Sequence, residues 1–387
     1  MKSQHSHSAA RILSTFCIGT ALLFTGLVNA VWTFRNNREL RDFGSFVAAG
    51  QEAVKGNNPY QQKDSLVFSV EFPDQGIKVA SPNLNPPVSV LLFQPLAYVD
   101  PVHALAIWRL ITVLGYCLAL LLLFQTGDKQ ISLIKMGWAF SLAGFWHLIE
   151  LGQIYMPLLL ACVIAWRLLG AGRTISAGIL IGLLIAIKPN FAVWAAALFL
   201  AGYWPAALAG AITAGAFSLV PLVLYGQTIY QEWFHALAQF NGYAIPVNSS
   251  LIGFFARIGY EQVGVGLSVL LMIIFGFLIW RKRPSALITS ALALVATLLV
   301  SPIAWVGYTI LLLPVFLEHD WTPTVRMAAA LLVVPVPVIL MLTFIDNAAM
   351  FLWSGLYALA LALLFAAILR DFTKRAGTLQ SPTANGP

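Results

Sequence analysis

Asp42 is the residue of this chain best placed to do chemistry. It sits just beyond the first membrane-length apolar run (12–34), in Arg41-Asp42-Phe43-Gly44-Ser45-Phe46-Val47-Ala48-Ala49-Gly50. A carboxylate held where a chain leaves the bilayer can take a proton from a sugar hydroxyl as that hydroxyl attacks an anomeric carbon. The plainer reading is a surface ion pair with Arg41. Position favours chemistry, because Phe43, Phe46, Val47 and Ala49 have the spacing of a helix lying along the interface. Of the fifteen acidic residues, six fall in the one loop at 35–85: Glu39, Asp42, Glu52, Asp64, Glu71 and Asp74.

The second candidate is Lys188, followed by Pro189 and Asn190 inside the apolar stretch 174–200. A lysine at such depth either snorkels to the interface or marks a substrate path, where it would meet a phosphate. Arg109 and Arg257 are weaker candidates of the same kind. His147 and Glu150, three residues apart, share one helix face just before Gly152-Gln153. Too few ligands surround them for a metal, so mutual hydrogen bonding or exposure at the membrane edge is expected. Asn248-Ser249-Ser250 fits a glycosylation sequon, a pattern that also arises by chance. No Gly-rich phosphate loop is present, which leaves a nucleotide-driven pump unsupported.

The elements that must carry these residues are membrane helices. The chain is 59% hydrophobic and 10% charged over 387 residues, and a soluble domain of that size could not hide so much apolar surface. The net charge of +7 lies in short clusters between apolar runs, as in cytoplasmic loops, and not on a continuous basic face for nucleic acid. Cys17, Cys117 and Cys162 all fall in apolar runs, with neither disulfide nor metal-ligand spacing. Val28-Asn29-Ala30 faintly resembles a cleavage site. The run containing it exceeds the roughly 7–15 residues of a signal-peptide core, which predicts an uncleaved first helix.

Further apolar segments lie at 86–98, 102–124, 133–149, 153–169, 174–200, 203–225, 263–280, 285–301, 303–317, 325–345 and 350–369. The first of these contains Pro95 and is shorter than the roughly 20 residues a span requires. Lys188-Pro189 is a natural helix break. If 86–98 does not cross and 174–200 is two short helices, the basic residues at 129–135, 167–173, 281–283 and 370–375 all face the cytoplasm. That count gives about twelve spans with both termini inside. The alternative lets 86–98 cross and keeps 174–200 whole, but puts Arg167 and Arg173 outside. The domain plan is a cytoplasmic N-terminus (1–10), one integral domain (11–369) and a cytoplasmic tail (370–387). The preferred topology gathers the 35–85 loop, Gly152-Gln153, Lys188-Pro189-Asn190, the 226–262 loop and Ser301-Pro302 on one extracytoplasmic face, around a single cavity.

The interrupted segments also occur in a familiar order: Asp42-Phe43, Gly56-x-x-Pro59-Tyr60, Pro86-Pro87 with Pro95-Leu96, Gly152-Gln153, and Gly178-x-x-x-Gly182 leading to Lys188-Pro189. Asn248-x-Ser250-Leu251 with Arg257 and Ser301-Pro302-Ile303-x-Trp305 complete the series. Across roughly residues 10–315 this resembles glycosyltransferase family 87, bacterial polyprenyl-phosphate-mannose-dependent α-mannosyltransferases of the GT-C superfamily. The resemblance implies an all-α polytopic GT-C fold with interfacial helices in the first extracytoplasmic loop, in a bacterial inner (plasma) membrane. It also implies inverting, metal-independent transfer, without a cofactor, from a lipid-phosphate sugar to a lipid or glycan acceptor.

By position, Asp42 would be the general base. Lys188 and Arg257 are candidates for the donor phosphate; Tyr60, Gln153, Asn248, Ser301 and Trp305 are candidates for sugar or acceptor contacts. The sequence departs from the family pattern where histidines often follow Trp305, which here is followed by Val306-Gly307-Tyr308. It departs again where Asn often follows Gly-Gln; here Ile154-Tyr155 stands. Two other readings fit: a transporter or flippase of lipid-linked sugar, and an inactive homologue in an envelope-assembly complex.

Overall fold

The computed structural model describes residues 2–35, 40–60, 83–125, 133–343 and 352–378. Glu39, Asp64, Glu71, Asp74 and Lys129, named above, lie outside the described residues, as does the end of the tail. Among the described residues the regular structure is helical, apart from one isolated antiparallel bridge between Asn248 and Trp305. The first half comprises α1 (Lys2–Phe34), α2 (Arg41–Val54), α3 (Pro87–Phe93), α4 (Pro101–Phe124), α5 (Leu133–Ser141), α6 (Ala143–Leu151), α7 (Tyr155–Gly170), α8 (Thr174–Ile187) and α9 (Ala192–Leu200). The second comprises α10 (Trp204–Tyr225), α11 (Thr228–Gln239), α12 (Leu251–Arg257), α13 (Glu261–Lys282), α14 (Ala286–Val300), α15 (Leu313–Glu318), α16 (Pro323–Leu331), α17 (Val336–Thr343) and α18 (Leu356–Thr378).

Five helices among the described residues are long and apolar enough to cross a membrane: 14–34 of α1, α4, α10, α13 and 356–373 of α18. Their large apolar side chains point outward, with Leu23 77%, Leu110 61% and Val223 84% exposed. Such surface is stable only in lipid, and the chain is a polytopic membrane protein. The expected twelve spans are not reached on length. The pair α16 and α17 would make a sixth but bends by 76°. Segment 133–149 divides at Leu142, whose extended backbone (ψ 126°) separates α5 from α6. Segment 303–317 begins as a 3-10 turn, Val306–Leu312, before α15. Segment 174–200 is broken, as the Lys-Pro pair predicts. Pro189 disfavours helical backbone at the preceding residue, and Lys188 is extended at φ −143°, ψ 97°.

Two packing features carry the site. Helix α2 buries Phe43, Phe46, Val47, Ala49 and Ala53 on one face, the spacing of an amphipathic helix. Phe43 and Phe46 pack on Phe93 at centroid distances of 6.1 and 5.1 Å, and Phe93 in turn on Trp108 at 5.0 Å. Helix α2 is thereby fixed to α3 and α4. Helices α8 and α10 cross at small residues: a Cβ at Gly178 would lie 2.2 Å from the Ala206 carbonyl oxygen, and one at Gly182 2.4 Å from that of Gly210. Only glycine permits this approach, and it sets the line along which α8 delivers Lys188.

Candidate active site

The N-terminal turn of α2 docks onto the C-terminal end of α6 through neighbouring contacts. Glu150 Oε1 lies 3.7 Å from Arg41 Nη2. Gly152 caps α6 in the left-handed region (φ 63°, ψ 36°), and a Cβ there would sit 2.5 Å from Phe43 Cβ. Gln153 Nε2 donates a hydrogen bond to Asp42 Oδ2. A carboxylate can only accept, so this bond fixes the orientation of the Gln153 amide. Its Oε1 is left buried and without a hydrogen-bond partner, an acceptor suited to a substrate hydroxyl. Arg41 itself has φ 51°, a left-handed conformation that costs a non-glycine residue about 1–2 kcal/mol.

Lys188 approaches the same carboxylate from the break between α8 and the 3-10 turn Pro189–Phe191, within electrostatic reach of Asp42. Its Nζ lies 4.9 Å from the ring centroid of Tyr155 and 5.6 Å from that of Tyr308. Those two rings stack at 3.6 Å with an interplanar angle of 20°. Their hydroxyls and the Asn190 side chain lie within electrostatic reach of one another. Asn190 Oδ1 is buried and unpaired. Among the described residues the Lys188 ammonium has ring faces about it but no carboxylate within ion-pair distance. A half-buried cation so placed favours an anionic ligand.

Glu150 is buried, 8% exposed. It accepts a hydrogen bond from Trp32 Nε1 at 3.2 Å, faces Arg41, and interacts electrostatically with Arg109. Arg109 does not snorkel: its Nε donates to the Ile149 carbonyl at 3.1 Å. The expectation for the His147–Glu150 pair is corrected. Both are buried, and His147 Nδ1 has no hydrogen-bond partner. The acid instead turns toward α1, α2 and α4, because two cations and an indole N–H stabilise it better than a neutral imidazole could.

Of the residues singled out in the sequence, Asp42, Gln153 and Lys188 come together. Tyr60 donates to the Asn85 carbonyl at 2.7 Å and pins the loop before α3; burial raises its phenol well above the usual range. Asn248 is fully buried. Its Nδ2 donates to the carbonyls of Tyr243 and Pro302 at 3.0 and 2.9 Å, and its Oδ1 accepts from the backbone N–H of Ala304 and Ser250 at 3.0 and 3.3 Å. It zips the 245–250 loop to 301–306, so the sequon is closed to glycosylation in the folded chain. Ser301 Oγ donates to the Ile303 carbonyl at 2.8 Å.

Arg257 belongs to the same scaffold. Its guanidinium donates to the carbonyls of Ile245, Asn248 and Ser354 at 3.1, 2.9 and 3.0 Å, with burial pulling its pKa down to about 10. Those bonds use three of the five guanidinium N–H donors, and Nε has no hydrogen-bond partner. Trp305 is half-buried on the zipped strand, and its carbonyl accepts from the Tyr308 N–H at 2.8 Å. A cavity of about 410 Å³ lies among Ile252, Val265, Val269, Met272 and Val300 and includes none of the Asp42 group. Among the described residues no three His, Cys, Asp or Glu side chains are placed to hold a metal.

A family model, glycosyltransferase family 87, matches residues 83–302, more than half of the chain. The chain belongs to glycosyltransferase family 87. Membership makes this membrane protein a glycosyltransferase, with a sugar donor and an acceptor. Searches of curated proteins and of solved structures returned no match. The matched span holds Gln153, Lys188, Asn248, Arg257 and Ser301 but begins after Asp42, which enters the site through its contacts with matched residues. Sequence reasoning gave Tyr155 and Tyr308 no role and named Asn190 only within the Lys188-Pro189-Asn190 break, yet all three stand at the candidate site beside Lys188. The signal was there: Tyr155 and Tyr308 stand where the sequence departs from the family pattern, and the two departures stack on each other.

Proposed function

We propose that the chain is an inverting glycosyltransferase of GT-C architecture. It moves a sugar, mannose by family analogy, from a polyprenyl phosphate to a hydroxyl of a lipid or glycan acceptor. The site faces the extracytoplasmic side of a bacterial plasma membrane, with both termini in the cytoplasm. The observation that carries this reading is Asp42 held by Gln153 beside a lysine with ring faces about it and, among the described residues, no carboxylate within ion-pair distance. In the reaction the acceptor oxygen forms a bond to the anomeric carbon as the bond from that carbon to the phosphate oxygen breaks. Asp42 takes the acceptor proton, and the electron pair leaves on the polyprenyl phosphate, whose charge Lys188 offsets. Gln153 orients the carboxylate and offers Oε1 to a sugar hydroxyl. Arg257 and Asn248 hold the 245–250 and 301–306 loops, with Trp305 and Ser301 at their edge.

The test uses purified protein in vesicles with radiolabelled polyprenyl-phosphate mannose and a panel of lipid and glycan acceptors. Labelled acceptor with inverted anomeric configuration, lost in Asp42→Asn and Lys188→Gln, supports the reading. Movement of donor across the bilayer without transfer would replace the enzyme with a transporter.

A further inference from the structure

The site described above does not use Glu150, yet three other elements converge on it. Trp32 at the end of α1 donates to it at 3.2 Å, Arg41 of α2 lies 3.7 Å away, and Arg109 of α4 acts on it electrostatically. Burying an acid is costly unless cations and hydrogen bonds offset it. Here the principal cation is the residue directly before Asp42. Arg41 also has the left-handed φ of 51°, which persists only where surrounding contacts over-determine it. The same four-residue stretch, Glu150 to Gln153 at the end of α6, supplies Gln153 to Asp42.

We propose that Glu150 is a positioning residue for the catalytic carboxylate. It draws the Arg41 guanidinium back onto α6, which sets the first turn of α2 and limits how strongly that cation holds Asp42 in its ionised, weakly basic form. The proposal rests on the reading of Asp42 as general base. Among the described residues, the other charged or titratable groups at this corner include Lys188 from the α8 break, Tyr308 from the 306–312 turn, Arg109 from α4, His147 from α6 and Arg35, stacked 3.5 Å over Trp32 at the end of α1.

Glu150→Gln tests it, because a glutamine oxygen can still accept from Trp32 while the charge is gone. The titration midpoint of Asp42 is read without any substrate, from infrared difference spectra of ¹³C-aspartate-labelled protein against its Asp42→Asn variant. The midpoint in Glu150→Gln should move to lower pH, since Arg41 is no longer shared with an anion. Arg41→Gln, which leaves Glu150 with Arg109 as its remaining cation, should move it to higher pH, and the double variant should return it near wild type. In the transfer assay, Glu150→Gln should lower kcat about tenfold with little change in donor KM, and the acid limb of its pH profile should follow the spectroscopic midpoint. Midpoints that stay fixed in both single variants, whatever happens to yield or thermal stability, would overturn the proposal and leave Glu150 a structural acid. Absence of transfer by wild-type protein would instead refute the functional reading, which the spectroscopic arm does not depend on.

Discussion

Gly152→Ala is the sharpest perturbation of the junction that aims Asp42. The substitution is strained twice. Alanine at φ 63° pays a left-handed penalty of about 1–2 kcal/mol. The new Cβ would also meet Phe43 Cβ at 2.5 Å and Leu105 Cδ1 at 3.1 Å. Phe43 is fully buried, and its Cβ is fixed to the α2 backbone, so no flexible tip can swing away. Overpacking of this kind costs about 1–3 kcal/mol, for a total of roughly 2–5 kcal/mol if the two add. Relief requires α2 to retreat by something near 1 Å, and a misplacement of that size can cost on the order of 10²-fold in rate. Gly172→Ala supplies the control, since Gly172 has φ 74° but nothing within 4 Å of its added Cβ. Thermal unfolding in detergent and transfer per folded protein should therefore separate the two variants. Gly152→Ala loses about 10²-fold in transfer, whereas Gly172→Ala stays within a fewfold of wild type. Equal activity in both would refute the claim that α6 holds Asp42 through Phe43.

Lys188→Gln should raise the donor KM by roughly 10–100-fold, the worth of a charge-assisted phosphate contact, measured with donor varied at saturating acceptor. Arg257→Ala strands three backbone carbonyls and should cost about 2–4 kcal/mol of stability, lowering the unfolding temperature in detergent while the donor KM of the folded fraction stays near wild type. Gly182→Leu forces α8 from α10 and should abolish monodisperse protein on size-exclusion chromatography, whereas Gly215→Leu, whose Cβ direction is open, should not.

The fold and the site were legible to different degrees. Membrane class followed from apolar content, and the break at Lys188 from the effect of proline on its predecessor. The split within 303–317 was marked by Pro314 at the first turn of α15 but went unread, and the one at Leu142, between Ser141 and Gly144, has no proline to announce it. Asp42, Gln153 and Lys188 could be named because polar residues bordering apolar runs stand out. Arg257 and Asn248 stood out for the same reason but brace two loops, since burial gives any polar side chain a reason to seek carbonyls. Tyr155 and Tyr308 were marked as departures from the family pattern, but their type hid what they do. Aromatics in apolar sequence read as core, and only the fold shows them stacked beneath a lysine.

The account turns on Asp42 as the base, and the transfer rate of Asp42→Asn measures that most directly. In vesicles with saturating polyprenyl-phosphate mannose and an accepted acceptor, the account predicts a loss of about 10²–10⁴-fold with donor binding retained. Transfer within tenfold of wild type would contradict it.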